Sequence, residues 1–230
     1  IEGIVEMMLD ATQRFNLPLT EKRLFGWHAA LFPTGFSGPY KIEVGCYRTG
    51  EMQVVSGAMD KEKVHFEAIK PAFVPAEMEK FLHWFNNDNS LDPVLKAAIA
   101  HFWFIIIHPF DDGNGRIGRM LITLMLWQST LISQPHFYIS GYFEEHKDEY
   151  IDCMRRVSEN NDWDSWCLFF LKAVEEQAKG NLRIVEKITE LYTEMKVKFT
   201  DVLSSKSSGA VLDFLFTYPI FKGSKFSNSG

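Results

Sequence analysis

The feature that most limits how this chain can fold is a twelve-residue stretch, residues 108–119, which reads His-Pro-Phe-Asp-Asp-Gly-Asn-Gly-Arg-Ile-Gly-Arg. Before it, apolar residues recur at helical spacing from Pro93 to Ile107, and Pro109 ends that helix at or near His108. A second helical pattern starts directly after it. Residues 113–115 are therefore predicted to be a glycine-rich turn leading into a helix N-terminus, where the backbone can approach an anion closely and unpaired N–H groups attract it.

The charged and polar residues of this stretch indicate a polyphosphate site. Arg116 and Arg119 are three residues apart, so both can project from one helix face toward a phosphate chain. Cations are disfavoured at a helix start unless an anion is bound there. Asp112 can hold Mg²⁺ through one carboxylate, and Asn114 can offer its amide to the reacting phosphate. His108 can accept a proton near neutral pH, which suits a general base.

A simpler interpretation is that Asp-Gly-Asn-Gly is an ordinary turn, with Asp112 as a helix cap and the arginines on a solvated face. The whole stretch favours the phosphate site, because it matches the pattern H-x-F-x-[DE]-G-N-G-R-x-x-R at every position. With this pattern the chain resembles the Fic (Fido-fold) family. The resemblance implies a mainly α fold, a Fido helical bundle with a β-hairpin flap. It also implies transfer of AMP from ATP to a protein hydroxyl, with Mg²⁺ and loss of pyrophosphate.

The resemblance assigns a role to each residue of the pattern. His108 would deprotonate the acceptor hydroxyl, Asp112 would hold Mg²⁺ between the α- and β-phosphates, and Phe110 would anchor the loop in the core. Arg119 would lie toward the γ end of the nucleotide. The residues implied to bind the nucleotide within the pattern are Gly113, Asn114, Gly115, Arg116, Gly118 and Arg119.

A β-hairpin is predicted ahead of this stretch. Residues 45–48 and 52–57 have the pattern of its two strands, and residues 49–51 have that of its turn. The resemblance implies that this hairpin is the flap that covers the nucleotide and pairs with the target segment. Lys63–Glu67 is expected to be its return strand. The residues of that strand expected to touch the nucleotide are Val64, His65 and Phe66.

The resemblance covers roughly residues 24–174, and within it Tyr150 is expected to border the adenine. An aromatic stripe on a helix is otherwise typical of the core. The domain prediction is a Fic domain over 1–203, a linker at 204–209, and the start of a winged-helix module at 210–230. A truncated module and a plain C-terminal helix give the same pattern. Helical patterns are expected near 2–15, 21–31, 75–87, 93–108, 116–130, 144–158, 163–178 and 180–203.

The chain opens with half of a further family pattern. Fic proteins with an inhibitory helix carry [ST]-x-x-x-E-[GN], and Glu2 and Gly3 match its last two positions. The resemblance implies that Glu2 pairs with Arg119 and keeps the γ-phosphate out. The alternative is an ordinary helix start, where a glutamate is a favourable partner of the dipole.

Composition limits the classes of partner and compartment. A chain of 230 residues with 46% hydrophobic content can bury one core and at most a small appendage. Its net charge of -6 argues against a broad nucleic-acid or anionic-membrane footprint. The cysteines Cys46, Cys153 and Cys167 lack the spacing of a metal site or a disulfide framework, and a cytoplasmic location is expected. The apolar runs are shorter than the roughly 18 residues of a membrane span.

Other functions remain open at this point. The same site can run as a de-adenylylating phosphodiesterase. A metal-dependent phosphohydrolase would use His101, His108, Asp111 and Asp112 as ligands. A nucleotide-sensing transcriptional regulator would need a DNA-binding tail, which the acidic charge disfavours. The expected partners are a target protein with an acceptor hydroxyl or the chain itself, a second copy in a homodimer, DNA only with a complete winged helix, and no membrane.

Overall fold

The computed structural model describes residues 2–56, 63–129, 139–203 and 208–220, with the backbone alone for residues 54–56, 63–66 and 203. The helices are α1 (Glu2–Gln13), α2 (Glu21–Leu31), α3 (Val74–Asn87), α4 (Pro93–Ile107), α5 (Asn114–Gln128), α6 (Ser140–Glu145), α7 (Lys147–Asn160), α8 (Trp163–Leu203) and α9 (Ser208–Thr217), with a 3-10 turn at Pro71–Phe73. The strands are β1 (Phe36–Ser37), β2 (Tyr40–Lys41), β3 (Gln53–Ser56) and β4 (Lys63–Glu67). The mainly α prediction is confirmed.

Helices α4 and α5 form the centre of the first of two compact units, Ile1–Gln177. Asp92 caps α4 by accepting hydrogen bonds from the N–H groups of Val94 and Leu95. α4 is apolar on nearly all sides and α5 is mostly buried beyond its first two turns, and α1, α2, α3 and the first part of α8 pack against the pair. The largest fully buried side chains of this core include Phe81, Phe85, Phe104, Phe110, Leu121, Trp166 and Phe170.

The larger β-hairpin differs from the predicted one. β3 pairs antiparallel with β4, with an irregularity between Val54 and Val55, so the connection lies at 57–62, outside the described residues. The predicted strand at 45–48 and turn at 49–51 were therefore wrong, whereas the return strand Lys63–Glu67 is confirmed. The reason is Arg48, whose N–H donates to the carbonyl of Pro109 at 2.9 Å instead of to a neighbouring strand.

A second, smaller hairpin was not predicted. β1 pairs with β2, with Ser37 opposite Tyr40. Gly38, in the turn between the strands, and Gly35, directly before β1, have φ of 55° and 76°, a conformation that favours glycine. It brings Ser37 to the loop that follows α4.

Two helix predictions need correction. The pattern over 144–158 is two helices that meet at His146. The patterns over 163–178 and 180–203 are one continuous helix, α8. Gly180 lies inside this helix, where a glycine costs only about 1 kcal/mol relative to alanine, which a long helix tolerates.

The second compact unit is Ala178–Gly230. Within it, α9 packs on the second half of α8, where the Tyr192 hydroxyl donates to Asp213 at 2.6 Å and its ring lies 5.1 Å from that of Phe216. Because α9 begins at Ser208, the predicted linker at 204–209 is in part helical. Residues 221–230 lie outside the described part of the chain, so the winged-helix assignment stays a prediction. Across the described ranges, no helix has both the length and the apolar character to cross a membrane.

Candidate active site

His108 ends α4 in a left-handed conformation, with φ of 49°. Its Nδ1 lies 3.2 Å from the carbonyl oxygen of Ile105. A carbonyl can only accept, so Nδ1 carries the proton and Nε2 carries the lone pair. Burial lowers the pKa of His108 below its ordinary value; the Ile105 bond and Asp112 oppose this shift, and the charge of Arg48 adds to it. The imidazole is therefore neutral near pH 7 and able to accept a proton through Nε2.

The loop after His108 is held by Asn114, the first residue of α5. The Asn114 side chain accepts from the N–H of Phe110 at 3.0 Å and donates to its carbonyl at 2.7 Å. Asn114 is only 2% exposed, and the Phe110 ring is fully buried. This geometry supports the anchoring role expected for Phe110. The Asn114 side chain thereby shapes the loop with its oxygen and one of its two N–H donors, and its expected role as a donor to the reacting phosphate stays a prediction.

His28 of α2 supports the same loop from the other side. Its Nε2 donates to the carbonyl of Asp112 at 3.1 Å, and its Nδ1 accepts from the N–H of Gly45 at 3.1 Å. The ring stacks on Phe110 at 4.2 Å between centroids. Burial lowers the pKa of His28, which keeps it in this neutral form. Sequence reasoning missed this role, since a single histidine in a helix carries no spacing signal.

The Asp112 carboxylate belongs to the loop between α4 and α5, and its side chain is 44% exposed. It accepts from Ser37 Oγ at 2.5 Å, from the Gly113 N–H at 2.5 Å and from Arg116 at 3.3 Å. Burial alone would raise its pKa, but these hydrogen bonds and the charge of Arg116 lower it. An ionised, accessible carboxylate fits a hard cation. Ser37 was not identified from the sequence, because the small hairpin that positions it was not predicted.

The glycines of the pattern serve three different purposes. Gly113 has φ of 87°, and an added Cβ would lie 2.9 Å from the ring of Phe32. A Cβ on Gly115 would lie 3.3 Å from the Arg119 guanidinium, so Gly115 leaves room for that group. Gly118 faces α4, where a Cβ would lie 3.0 Å from Ile105 and 3.2 Å from His101. The geometry thus supports a packing role for Gly118 rather than the expected phosphate contact.

The two arginines differ in their surroundings. The Arg116 guanidinium lies over the Phe32 ring at 4.6 Å and pairs with Asp112, while its side chain keeps 35% exposure. Burial lowers the pKa of Arg119, and the neighbouring Tyr150 and Glu144 oppose this shift. Both guanidinium groups stay charged. They lie on the first two turns of α5, beside its unpaired N–H groups.

Tyr150 is partly buried and packs against the aromatic core. Its hydroxyl is 3.0 Å from Nε2 of the fully buried His101, and its ring packs on Phe143 at 5.0 Å. Burial lowers the pKa of His101 to about 4 and raises that of Tyr150. The geometry makes His101 a packed residue, whereas the adenine contact expected for the partly buried Tyr150 stays a prediction.

The ligand set of the phosphohydrolase alternative is not assembled. His101 is bonded to Tyr150 inside the core, and the Asp111 carboxylate accepts from the N–H of Glu43 at 2.9 Å. Within the described ranges no three His, Cys, Asp or Glu side chains converge as metal ligands. Of the four candidates, His108 and Asp112 lie close enough for the Asp112 charge to act on the His108 imidazole.

The remaining predicted residues lie at the edges of the site. Glu2 is exposed at the start of α1. Gly3 packs so closely on α2 that an added Cβ would overlap the carbonyl of Ala30. Two residues further along the chain, Phe32 packs against Gly113. No ion pair of Glu2 occurs among the described residues, so its pairing with Arg119 stays a prediction. The side chains of Val64, His65 and Phe66 lie outside the described part, and their nucleotide contacts stay predictions.

Comparison with known proteins agrees with this geometry. Residues 18–126, from the segment before α2 to the last turns of α5, match the Fic/DOC family. A probable protein adenylyltransferase of Aquifex aeolicus is 32% identical over 144 residues, which is 63% of this chain and 38% of that protein. The protein adenylyltransferase fic-1 of Caenorhabditis elegans is 33% identical over 90 residues, 38% of this chain and 16% of that protein. The chain spans less than half of each relative.

Solved structures share the fold. A Fic family protein from Desulfovibrio desulfuricans superposes with a TM-score of 0.64 at 24% identity, over 79% of this chain and 53% of its own. A Fic domain-containing signaling protein from Bacteroides thetaiotaomicron superposes with a TM-score of 0.57 at 25% identity, over 77% of this chain and 69% of its own.

Proposed function

Because residues 18–126 of this chain belong to the Fic/DOC family, we propose that the protein transfers AMP from ATP to a hydroxyl group of a target protein or of itself. The observation that carries this proposal is the fixed tautomer of His108. Its protonated Nδ1 points at Ile105, so Nε2 carries the lone pair, and only the loop at residues 109–113 separates His108 from the N-terminus of α5. A neutral base next to an anion-binding helix end is what phosphoryl transfer to a hydroxyl needs.

In the proposed reaction, Nε2 of His108 takes the proton of the acceptor hydroxyl. The oxygen attacks the α-phosphorus, the bond from that phosphorus to the bridging oxygen breaks, and pyrophosphate leaves with the electron pair. Arg116, Arg119 and the free N–H groups of α5 stabilise the negative charge that builds up on the phosphates. Asn114 and His28 keep the loop in this geometry without touching the nucleotide.

Mg²⁺ is the cofactor that fits the donor set. Asp112 would hold it through the half-exposed carboxylate, with phosphate oxygens and water as the other ligands. The cation would neutralise phosphate charge when bound. Ser37 and Gly113 each donate a hydrogen bond to this carboxylate, and the two bonds fix its orientation.

We also propose that Glu2 restrains the enzyme by competing with the γ-phosphate for Arg119. The close packing of Gly3 against Ala30 supports this, because Ala30 lies near the end of α2. Phe32, which directly follows α2, packs against Gly113 in the loop that precedes α5. A charge-assisted hydrogen bond contributes about 1.5 to 3 kcal/mol.

The three cysteines are free thiols, which agrees with a cytoplasmic site of action.

The test uses two labels on the same nucleotide. The protein is incubated with Mg²⁺, a cell lysate, and ATP labelled at either the α- or the γ-phosphate. The proposal predicts protein-bound label from α-labelled ATP alone, with an added mass of AMP on Ser, Thr or Tyr. Label from γ-labelled ATP would indicate a kinase. Removal of AMP from a labelled protein, without its addition, would indicate the phosphodiesterase direction.

A further inference from the structure

Arg48 is a buried cation whose side-chain hydrogen bonds within the described residues all go to backbone carbonyls, while the charge of Asp111 acts on it without a hydrogen bond. It is 2% exposed and lies between β2 and β3. Its Nε donates to the carbonyl of His108 at 2.7 Å, and its Nη1 to Gly50 at 2.7 Å. Its Nη2 donates to Ile69 at 2.5 Å and, at 3.4 Å, to Ile107. A buried charge is normally paired with an acid, so this set of partners needs an explanation.

The acceptors come from three separate segments of the chain. Gly50 precedes β3, Ile69 follows β4, and His108 ends α4. A hydrogen bond from the N–H of Ala68 to the carbonyl of Met52, 2.9 Å long, closes the base of the hairpin. One guanidinium thus joins both ends of the β3–β4 hairpin to the peptide group of the catalytic histidine. Only the planar, five-donor fork of arginine can reach acceptors in these directions at once.

The hairpin itself offers a docking edge for an extended segment. In the described part of the chain, the β3–β4 sheet has two strands, so each strand presents unpaired backbone groups along one side. An acceptor segment that adds to such an edge by backbone hydrogen bonds is placed by the position of the hairpin. The distance from its hydroxyl to His108 then depends on how firmly the hairpin and His108 are joined.

We propose that Arg48 is a positioning residue that holds the β3–β4 hairpin in register with His108, so that a segment docked on the hairpin brings its hydroxyl to Nε2. This rests on the proposed function. A misplacement of about 1 Å in such a geometry can lower a rate by about 100-fold. Attack by water on the same bound ATP does not use the hairpin, so it does not depend on this register.

The experiment compares these two reactions in the full chain. Arg48→Lys keeps the charge but loses the fork, and Arg48→Met loses both. Lys96→Met is the matched control, because Lys96 is also a buried cation that donates to carbonyls, those of Phe85 and Asp88 at the end of α3. For each variant, ATP binding, transfer to an acceptor protein and release of AMP to water are measured, with the melting temperature.

The proposal predicts a split between the reactions. Both Arg48 variants should lower kcat/KM for transfer by about 10- to 100-fold, while ATP binding and attack by water are retained. Hydrogen exchange at Gln53–Ser56 should quicken in Arg48→Lys. Lys96→Met should lower the melting temperature and leave the ratio of transfer to hydrolysis unchanged. If transfer, hydrolysis and ATP binding fall together, or the ratio does not change, Arg48 is merely structural.

The hydrogen-exchange measurement keeps this test separate from that of the proposed function. If the parent protein transfers AMP to no acceptor, the proposed function fails. Faster exchange of the hairpin in Arg48→Lys would still support the mechanical connection, and unchanged exchange would overturn it. If Arg48→Met does not fold, Arg48→Lys alone decides.

Discussion

The Nδ1 nitrogen of His108 donates to the carbonyl of Ile105, one turn earlier in α4, at 3.2 Å. This bond fixes the tautomer, and burial lowers the pKa of His108 below the ordinary value near 6.5. Since the unprotonated form is the base, a lowered pKa keeps it populated at lower pH. We expect kcat/KM for transfer to be level around neutral pH and to fall only below about 6.5. An acid limb with its midpoint above pH 7 would contradict this.

Asp112 and Asp111 provide a matched pair of neighbouring carboxylates. Asp112→Asn should raise the Mg²⁺ concentration needed for half-maximal transfer, because the cation loses its proposed carboxylate ligand. Asp111→Asn should change this Mg²⁺ concentration little, since the Asp111 carboxylate already accepts a hydrogen bond from the N–H of Glu43. The measurement is a Mg²⁺ titration at saturating ATP. Equal Mg²⁺ requirements in the Asp112 variant and the parent would remove Asp112 from the metal site.

Glu2 and Glu6 lie one turn apart on α1, and both are exposed. If Glu2 competes with the γ-phosphate for Arg119, Glu2→Gly should raise the labelling rate by about 10- to 100-fold, the factor that corresponds to one charge-assisted hydrogen bond. Glu6→Gly should not. Both variants add a glycine to the same helix, so a general loosening of α1 would affect them alike. Parent-like labelling by the Glu2 variant would end the autoinhibition proposal.

The lowered pKa of the buried His101 makes the stability of the fold depend on pH. Its pKa is about 4 in the folded protein, and an unfolded histidine titrates near 6.5. Between these values the unfolded state binds the extra proton, so stability falls as pH falls from 6.5. Acidification from pH 7 to pH 5 should cost about 2 kcal/mol through this residue. The lowered pKa values of His28 and His108 add losses of the same sign.

Urea unfolding at the two pH values measures this loss. His101→Gln should show a smaller change between pH 7 and pH 5 than the parent, because it removes the titrating group and keeps a polar partner for Tyr150. His83→Gln, at an exposed position of α3, is the control and should match the parent. If the His101 variant and the parent have the same pH dependence, the buried neutral histidine is not the source.

The sequence predicted the parts of the fold that local periodicity and proline determine. Helix α4 follows its pattern from Pro93, and His108 lies at its end because Pro109 cannot continue it. The pattern over residues 108–119 likewise predicted the loop and the match of residues 18–126 to the Fic/DOC family. Long-range contacts were not predictable in this way. The strand partner of Gln53–Ser56 is Lys63–Glu67 because Arg48 binds the segment before it to Pro109 and His108.

The roles of individual site residues depended on the same kind of contact. His28 and Ser37 reach Asp112 across 84 and 75 residues of chain, a separation at which single-sequence patterns carry no signal. Asn114 and Gly118 belong to the pattern, yet they bond to Phe110 and pack on His101. A motif therefore predicts that its residues meet at one site, but not which of them face the ligand.

The central claim is that His108 is the base in transfer of AMP to a hydroxyl. The most direct measurement is protein-bound label from α-labelled ATP, compared between the parent and His108→Ala at equal ATP occupancy. We expect the variant to bind ATP nearly as well and to transfer AMP about 10²- to 10⁴-fold more slowly, the usual size of a general-base effect. Transfer by the variant at the parent's rate would contradict it.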